Sequence, residues 1–543
     1  MKRLLIFIIV VFIAGLTCCK KFLEETSQNQ IRPSTTNDLV ALMDADAYPY
    51  DSKMCILLNL LSDDVKCNGA QGIVTSGSSS FVSYYPPLAK GKSPFTWQTS
   101  MFEDLKSSMS TPTYLNCWNI IYQRIARCNI VIAYVDKVSG SASDRNNILG
   151  QVLAARGYYY FLLVNLFGRP YNATGVDVEK SLGVPLKLTM YATDSNYARN
   201  TVAEVYRQVE SDLKEGAVLM EKSPETAPSA YHLTSYAAYG LLSRMYLYQE
   251  KWDSVIVYAN KVITARPILA NLTSFMTGNT SSGVGYYYYN TNSTHNVFNP
   301  LISPEVLWVY QPDFILAKTA SSYSANAGES EFFIPSGTPI FSDTYSPPFS
   351  VSDSLLNLYE SRPQSDTSVY LGDLRSRVYM SATTYLKGII SYTPLIINWG
   401  FKFYFGSTGG KGIRTGEVYL NRAEAYARKY LATGTDGYRL SALSDLNTLR
   451  ASRYDARKTY TNVNITDANQ LLSFCKDERR RELPFEGHRW FDLRRYGMPA
   501  ITRWFEDVPG TGQNYTLSQG DSRYTLRIPQ EVLDRNSALT QNP

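Results

Sequence analysis

Three histidines and 48 acidic residues are the side chains with which this chain could do acid–base or metal chemistry. The histidines (His232, His295 and His488) are far apart, and the sequence has no HExxH, P-loop, GxSxG or strand-linked GxGxxG motif. A glycosidase needs only two suitably spaced carboxylates, and that spacing cannot be read from a sequence. We therefore expect no enzyme activity, no catalytic residue, no metal site and no cofactor.

The densest cluster of charge is a 21-residue segment, which we call the charged motif. Residues 477–497 read Asp-Glu-Arg-Arg-Arg-Glu-Leu-Pro-Phe-Glu-Gly-His-Arg-Trp-Phe-Asp-Leu-Arg-Arg-Tyr-Gly. Glu478 and Glu482 lie one helical turn apart and are interleaved with arginines, so ion pairs within one helix are expected. We interpret the motif as a buried or half-buried charge network that locks this segment onto the helices, in preference to a ligand site.

The second half of the charged motif changes direction. Pro484 and Gly487 are expected to bend or interrupt the helix that carries the glutamates. Arg489, Asp492 and Arg494 then follow at spacings that allow bidentate arginine–carboxylate pairs. This segment is therefore predicted to make ionic contacts of its own.

Aromatic residues are abundant, with 42 Tyr, 22 Phe and 7 Trp, or 13% of the chain. Sugar rings present flat C–H faces that stack on such rings, while their hydroxyls bond to polar side chains. Four consecutive tyrosines between Gly285 and Asn290 cannot all face a core. The alternative, an aromatic packed under a long loop, stays open for each candidate. The predicted ligand contacts are Phe81, Tyr84, Tyr85, Trp97, Tyr286, Tyr287, Tyr288, Tyr289, Asn290 and Trp399.

The first residues indicate export. Lys2 and Arg3 precede an apolar run from Leu4 to Leu16, which as a helix is about 20 Å long and too short to span a bilayer core of about 30 Å. The run ends in Leu-Thr-Cys-Cys, which resembles a bacterial lipobox with Cys19 as the acylated cysteine. We predict a signal peptide over residues 1–18 and a mature chain held on a membrane by several acyl chains.

Overall charge and the other cysteines exclude further classes. The formal net charge is only +5, with no basic tract of the kind that binds nucleic acid. The remaining cysteines are odd in number and lack CxxC spacing, which argues against a disulfide framework or a zinc site. Cys117 and Cys128 are spaced to pack in a helix interface.

Apolar spacing of three and four residues predicts a mainly helical scaffold. Thr201 and Glu204 form a capping box at the start of one helix. Some predicted helix pairs carry small residues where the two helices would approach and bulky residues that would fill the groove between them, as tetratricopeptide pairs do. The predicted helices begin near residue 114 and then cover 148–167, 201–220, 232–249, 252–264, 414–431 and 438–453. A loop-rich, partly β insertion at about 266–410 carries short strands at 306–310 and 401–405.

The charged motif resembles the hallmark of the SusD/RagB family of Bacteroidetes outer-membrane lipoproteins. Pro484 stands where alanine is common in that family, which affects only local helix geometry. Other segments resemble the family's motifs in the same order along the chain. They are Cys19–Glu24, Leu61–Asp64, Ala155–Gly168, Tyr419–Ala425, Leu446–Arg450, Ile528–Gln530 and Gln541–Pro543.

The resemblance implies a SusD-like α/α superhelix of tetratricopeptide-like pairs with an N-terminal region at 19–230 and a C-terminal region at 231–543. It implies a non-catalytic lipoprotein that is anchored on the outer membrane and exposed at the cell surface. Such proteins capture an oligosaccharide, or in some members a peptide, for a SusC-like TonB-dependent transporter. A scaffold that binds another protein and no small ligand is the remaining alternative.

Overall fold

The fold is seen in a computed structural model of the chain. It describes residues 32–49, 54, 57–69, 85–108, 117–191, 196–275, 297–310, 349–360, 370–379, 381–386, 394–400, 403–404, 407–408 and 411–543. Only the backbone is described for residues 57, 85–87, 108, 350, 377, 381–386, 394–400, 403–404 and 407–408. The predicted signal peptide and Cys19 lie outside these ranges.

Helices dominate the described residues. The α-helices are α1 (Thr36–Leu42), α2 (Leu57–Leu61), α3 (Tyr85–Phe95), α4 (Met101–Ser108), α5 (Cys117–Tyr134), α6 (Ala142–Phe167), α7 (Val202–Lys222), α8 (Ser235–Tyr248), α9 (Trp252–Ala265), α10 (Asp353–Leu356), α11 (Arg375–Val378), α12 (Thr415–Thr433), α13 (Asp436–Arg453), α14 (Ala468–Glu482), α15 (Arg489–Arg495) and α16 (Gln530–Arg535). A π-helical turn (Met43–Ala47) follows α1, and short 3₁₀ turns cover Leu272–Phe275 and Ser522–Tyr524.

Successive helices pack side by side as the tetratricopeptide-like pattern predicts. Helix α5 packs on α6, α6 on α7, α7 on α8, and α8 on α9, and α9 in turn contacts α12. Helix α12 then packs against both α13 and α14. Because only three residues join α8 to α9 and two join α12 to α13, each of these pairs must run antiparallel. The mainly α prediction is confirmed.

Close backbone approach and a buried ion pair fix α6 against α7. A Cβ atom at Gly150 would lie 2.8 Å from the carbonyl oxygen of Gly216, so these helices can meet this closely only because both positions lack side chains. One turn further along, Arg156 makes a bidentate pair with Asp212 at 2.8 and 2.9 Å and donates to Asn129 of α5 at 3.0 Å. Three helices are thus joined through one arginine.

The strands form small antiparallel pairs. They are β1 (Val65–Cys67), β2 (Val306–Tyr310), β3 (Phe349–Val351), β4 (Ser381–Leu386), β5 (Pro394–Gly400), β6 (Phe403–Tyr404), β7 (Ser407–Thr408), β8 (Lys411–Arg414), β9 (Ile501–Phe505) and β10 (Gln513–Leu517). The pairs are β1 with β3, β2 with β8, β4 with β5, β6 with β7, and β9 with β10. Pairing of β2 with β8 brings the two flanks of the insertion together, with Val306 opposite Arg414.

Hydrogen bonds join residues 539–543 to the end of α6. The Asn542 side-chain amide donates to the carbonyl oxygens of Phe167 and Leu526 at 2.9 and 2.7 Å. Arg199 donates to Asn542 and also to the Phe167 carbonyl. These bonds satisfy helix-end carbonyls that would otherwise be buried without a partner.

Apolar packing agrees with the predicted stripes. Cys117 and Cys128 are buried in α5, as the spacing predicted, and Cys67 and Cys475 are buried free thiols. Within the described residues, none of the helices is long and apolar enough to cross a membrane.

Candidate functional site

The charged motif lies on α14, α15 and the turn between them, and its central group is the carboxylate of Glu482. Three guanidinium groups share this carboxylate, those of Arg453 at 2.8 Å, Arg414 at 2.6 Å and Arg375 at 3.2 Å. The hydroxyl of Tyr379 donates to it at 2.9 Å. All three arginines and Glu482 are fully buried. The prediction of a buried charge network is confirmed.

The network extends beyond the charged motif and is balanced in charge. Glu305, just before β2, accepts from Arg414 and Arg453 at 3.1 and 3.0 Å. Arg375 makes a bidentate pair with Asp373. Among the described residues, and apart from the half-exposed Glu360 that pairs with Arg450, the network contains five carboxylates and five arginines: Glu305, Asp373, Glu478, Glu482, Glu486, Arg375, Arg414, Arg450, Arg453 and Arg481. It joins both flanks of the insertion to α13 and α14.

Electrostatics keep Glu478 and Glu482 ionised. Burial by itself would raise the pKa of Glu478, but the guanidinium groups of Arg375, Arg450 and Arg481 outweigh it and lower the pKa to about 2. Burial opposes ionisation of Glu482 too, and its arginine partners hold its pKa well below the usual value. Only one of these contacts, Glu478 with Arg481 at 2.6 Å, is the ion pair within α14 that the sequence predicts.

A second joint links the early and late segments of the chain. Arg489 of α15 makes a bidentate pair with Asp63 at 2.7 and 2.8 Å, and Arg480 donates to Asp64 at 2.6 Å. Burial opposes ionisation of Asp63, yet Arg489 lowers its pKa to about 2. Two motifs more than 400 residues apart are therefore in direct contact.

Arg494 corrects one sequence expectation. It makes no bidentate carboxylate pair; its guanidinium donates to the carbonyl oxygen of Gly168 at the end of α6. Burial away from any carboxylate lowers the pKa of Arg494 to about 10. Arg489 and Asp492 do form ion pairs as predicted, Asp492 with Arg479 at 2.9 Å.

The histidines have unlike environments. His232 precedes α8 and bonds to Glu225 at 3.0 Å and Asp44 at 2.8 Å, and the hydrogen bond to Glu225 raises its pKa. Because Thr234 caps α8, His232 does not begin that helix. His488 is buried, and burial among arginines lowers its pKa well below the usual value. His295 lies outside the described residues. No three His, Cys, Asp or Glu side chains in the described ranges are grouped to hold a metal ion.

A cavity lies beneath the charged motif, but it is small. Its lining includes Tyr158, Arg244, Tyr248, Lys411 and His488, and its volume is ≈ 20 Å³. That is space for about one water molecule. The hydroxyl of Tyr248 has no protein partner and is buried, which is the environment of an ordered water. A sugar does not fit here, so a ligand site must lie elsewhere.

Most predicted ligand contacts lie outside the described side chains. Cys19, Phe81, Tyr84, Tyr286, Tyr287, Tyr288, Tyr289 and Asn290 fall outside the described residues. Tyr85 begins α3 and Trp399 lies in β5, but only their backbones are described. Trp97 is described, and it corrects an expectation. It is 1% exposed, its indole donates to the Leu61 carbonyl at 2.9 Å, and the guanidinium of Arg503 lies 3.9 Å from its ring centre. The indole ring of Trp97 therefore has no face open to a ligand.

The backbone brings strands from distant parts of the chain together. Strand β1, which leads towards residues 70–84, contacts β3 and β9, and β3 contacts β5, which carries Trp399. Strand β9 also pairs with β10, and Trp504 of β9 is exposed on this hairpin. The sequence pattern does not single it out. Exposure alternates along β9, but residues 501–505 read Ile-Thr-Arg-Trp-Phe, so the order of apolar and polar residues gives no signal that Trp504 is exposed.

The buried network makes a prediction about stability. Replacing Glu482→Gln removes the charge that three arginines share, so the free energy of unfolding should fall by about 3–5 kcal/mol. The matched control is Glu179→Gln, because Glu179 pairs with Arg207 on the surface, where both side chains are more than half exposed. The control should change stability by less than about 1 kcal/mol. Equilibrium urea denaturation measures both, and equal small changes would contradict the central role of Glu482.

The lowered pKa values predict acid sensitivity. Glu478 and Asp63 have folded pKa values of about 2, below their unfolded values, so each contributes stability above the unfolded pKa and loses it as the pH falls towards 2. Asp64 and Asp212, whose pKa values burial raises, act in the opposite direction and reduce the slope. Urea midpoints should fall between about pH 5 and pH 2, and less steeply in Glu478→Gln. Equal midpoints at pH 6 and pH 3 would refute this.

Comparison with known proteins agrees with this geometry. A family model described as "Starch-binding associating with outer membrane" matches residues 58–247, and one described as "SusD family" matches residues 406–543. The two matches together span more than half of the chain and contain the Asp63–Arg489 pair and most of the charge network. No curated protein matches the chain significantly.

Solved structures share the fold over nearly the whole chain. A SusD superfamily protein from Bacteroides thetaiotaomicron is 22% identical, with 94% of this chain and 100% of that chain covered and a TM-score of 0.59. A putative sugar binding protein from Bacteroides vulgatus is also 22% identical, with 95% and 99% covered and a TM-score of 0.62. A laminarin binding SusD-like protein is 19% identical, with 94% and 99% covered and a TM-score of 0.54. This chain belongs to the SusD family.

Proposed function

We propose that this chain is a non-catalytic, lipid-anchored protein of the outer cell surface that captures oligosaccharide and delivers it to a SusC-like TonB-dependent transporter. The observation that carries the proposal is the match to the two SusD family models, one of them described as starch-binding and outer-membrane associated. Two structural neighbours are also named as sugar-binding and laminarin-binding proteins.

The architecture supports capture without chemistry. The charge network holds Glu478, Glu482 and Glu486 of the charged motif in ion pairs with arginines, and it ties Glu305 of the insertion to the helices. The predicted aromatic contacts at Phe81, Tyr84, Tyr286–Tyr289 and Trp399 are not members of this network. A sugar ring would stack on such aromatics while Asn290 and similar side chains bond its hydroxyls.

The proposal predicts glycan binding that depends on the tyrosine run. Affinity electrophoresis in gels containing amylopectin, laminarin, xylan or galactomannan should show retardation by at least one of them, and calorimetry should give a micromolar to millimolar Kd. Replacing Tyr286–Tyr289 together by alanine should weaken binding about tenfold or more, because stacking faces are lost. The control is Tyr191→Ala, since Tyr191 is 63% exposed and lies in another part of the chain.

Other outcomes of this experiment favour the alternatives. Binding to a peptide mixture and to none of the glycans would replace the oligosaccharide by a peptide ligand. If the tyrosine variant binds glycan normally but loses association with the transporter in a pull-down, the chain is an interaction scaffold. Turnover of a glycan by the purified protein would contradict the non-catalytic assignment.

The anchor makes a separate prediction. In an expressing bacterium, Cys19→Ala should abolish incorporation of labelled palmitate and release the protein from the membrane fraction, because the acyl chains supply membrane affinity. The control is Cys18→Ala, which leaves the acylated thiol in place. Labelling of the Cys19→Ala protein at the wild-type level would refute the anchor.

A further inference from the structure

The β9–β10 hairpin carries one exposed tryptophan, Trp504, and hydrogen bonds from its inward face hold it to the rest of the protein. Its inward residue Arg503 donates to the carbonyl oxygens of Leu60, Ser62 and Phe95. The same guanidinium lies 3.9 Å from the Trp97 ring centre. Since side chains alternate along a strand, this anchoring directs Trp504 to the opposite, exposed face.

Trp504 is exceptional among the tryptophans of this chain. Of the six whose side chains the structure describes, it alone is largely exposed, at 42%. Its ring rests against two glycines: a Cβ at Gly512 would lie 2.5 Å from Cζ2, and one at Gly69 would lie 2.8 Å from Cη2. The absence of side chains at these two positions allows the indole to lie close against backbone, so its orientation is set while much of its surface stays open.

Hydrogen-bonding groups surround the ring. The Glu506 carboxylate oxygen Oε2 lies 2.8 Å from the same Cβ position at Gly69, so it is within twice that distance of the indole Cη2. Its other oxygen accepts from the Gly510 amide at 2.8 Å, which holds the carboxylate in place. Asn514 is paired directly opposite Trp504 and is exposed. A flat ring with an acceptor at its edge and an amide beside it suits a sugar, which offers a C–H face and hydroxyl groups.

The position of this hairpin is continuous with the predicted ligand region. Gly69, under the indole, is the residue from which the chain enters segment 70–84, and that segment contains Phe81 and Tyr84. Strand β1 contacts both β3 and β9. Trp504 therefore lies against the residue that directly precedes this candidate ligand segment in the chain.

We propose that Trp504 is a sugar-stacking residue, on which one hexopyranose unit of the oligosaccharide lies, with Glu506 accepting a hydrogen bond from a hydroxyl of that unit. This inference rests on the proposed function and extends it, because it adds a subsite on the β9–β10 hairpin to the loop aromatics. It assigns the hairpin a role in ligand capture as well as in holding the fold.

The test compares four proteins with the wild type on amylopectin, laminarin, xylan and galactomannan, by affinity electrophoresis and calorimetry. Trp504→Ala should bind about tenfold more weakly, and Trp504→Phe should recover most of the affinity because a stacking ring remains. Gly512→Ala, whose new Cβ would displace the indole, should fall between them. Tyr191→Ala should bind as the wild type does. Thermal denaturation checks that each variant is folded.

A second measurement reports on the ring itself. Because Trp504 is exposed, acrylamide should quench part of the tryptophan fluorescence, and a bound glycan should protect that part. Protection of the predicted contact Trp399 would persist in Trp504→Phe, whereas the part of the protection that Trp504 supplies should be absent even though this variant still binds. A merely structural role for Trp504 would lower affinity without producing this protection.

The outcomes separate the two proposals. If the wild type binds a glycan and Trp504→Ala binds it equally well, the subsite is refuted and the proposed function stands. If the wild type binds none of the glycans, both proposals fall. If Trp504→Ala binds glycan normally but loses self-association in sedimentation, the exposed ring is a contact between copies of this chain, and the subsite is again refuted.

Discussion

One carboxylate, that of Glu482, is shared by three buried guanidinium groups, and the rest of the architecture depends on this arrangement. Taking an ion out of water costs several kcal/mol, so each buried charge here is tolerable only with its partners in place. Arg414 comes from β8, Arg453 from α13 and Arg375 from α11, three elements that are far apart in the sequence. The network therefore specifies a single relative position for the insertion flanks and the helices, because any other position would leave a buried charge unpaired.

Local signals in the sequence predicted the helices well and their ends less well. The box of Thr201 and Glu204 is present as predicted, since both of its hydrogen bonds are formed within four residues of chain. Helix α6 begins at Ala142, before the predicted start at residue 148, because Ser141 caps it although its first turns carry few apolar residues. Helix α8 begins at Ser235 because the Thr234 hydroxyl caps it. The observed helix starts therefore differ from the predicted ones because the capping residues lie outside the apolar pattern.

Long-range partners could not be predicted, because nothing in a motif identifies the residue that will face it. The sequence indicated that Arg489 would find a carboxylate, and only the fold shows that it is Asp63, more than 400 residues away. The same limit applies to aromatic rings in loop-like composition. Trp97 was predicted as a ligand contact, with packing under a loop as the open alternative, and it is buried beside Arg503. Trp504 is exposed, but it lies in Ile-Thr-Arg-Trp-Phe, where apolar and polar residues do not alternate although exposure does. Neither local composition nor residue alternation therefore predicts which of these two rings is exposed.

The state of the buried carboxylates also bears on the glycosidase alternative. A general acid must carry a proton near the working pH, which requires a pKa close to that pH. Glu478, with a pKa of about 2 and no exposed surface, is ionised and out of reach of a substrate, and Glu482 is held in the same state. The charge of the motif is thus committed to holding the scaffold. None of the ten network residues lies in segments 70–84 or 276–296, so the residues proposed there as ligand contacts are distinct from those that form the network. Separation of this kind allows one rigid architecture to present different ligand contacts.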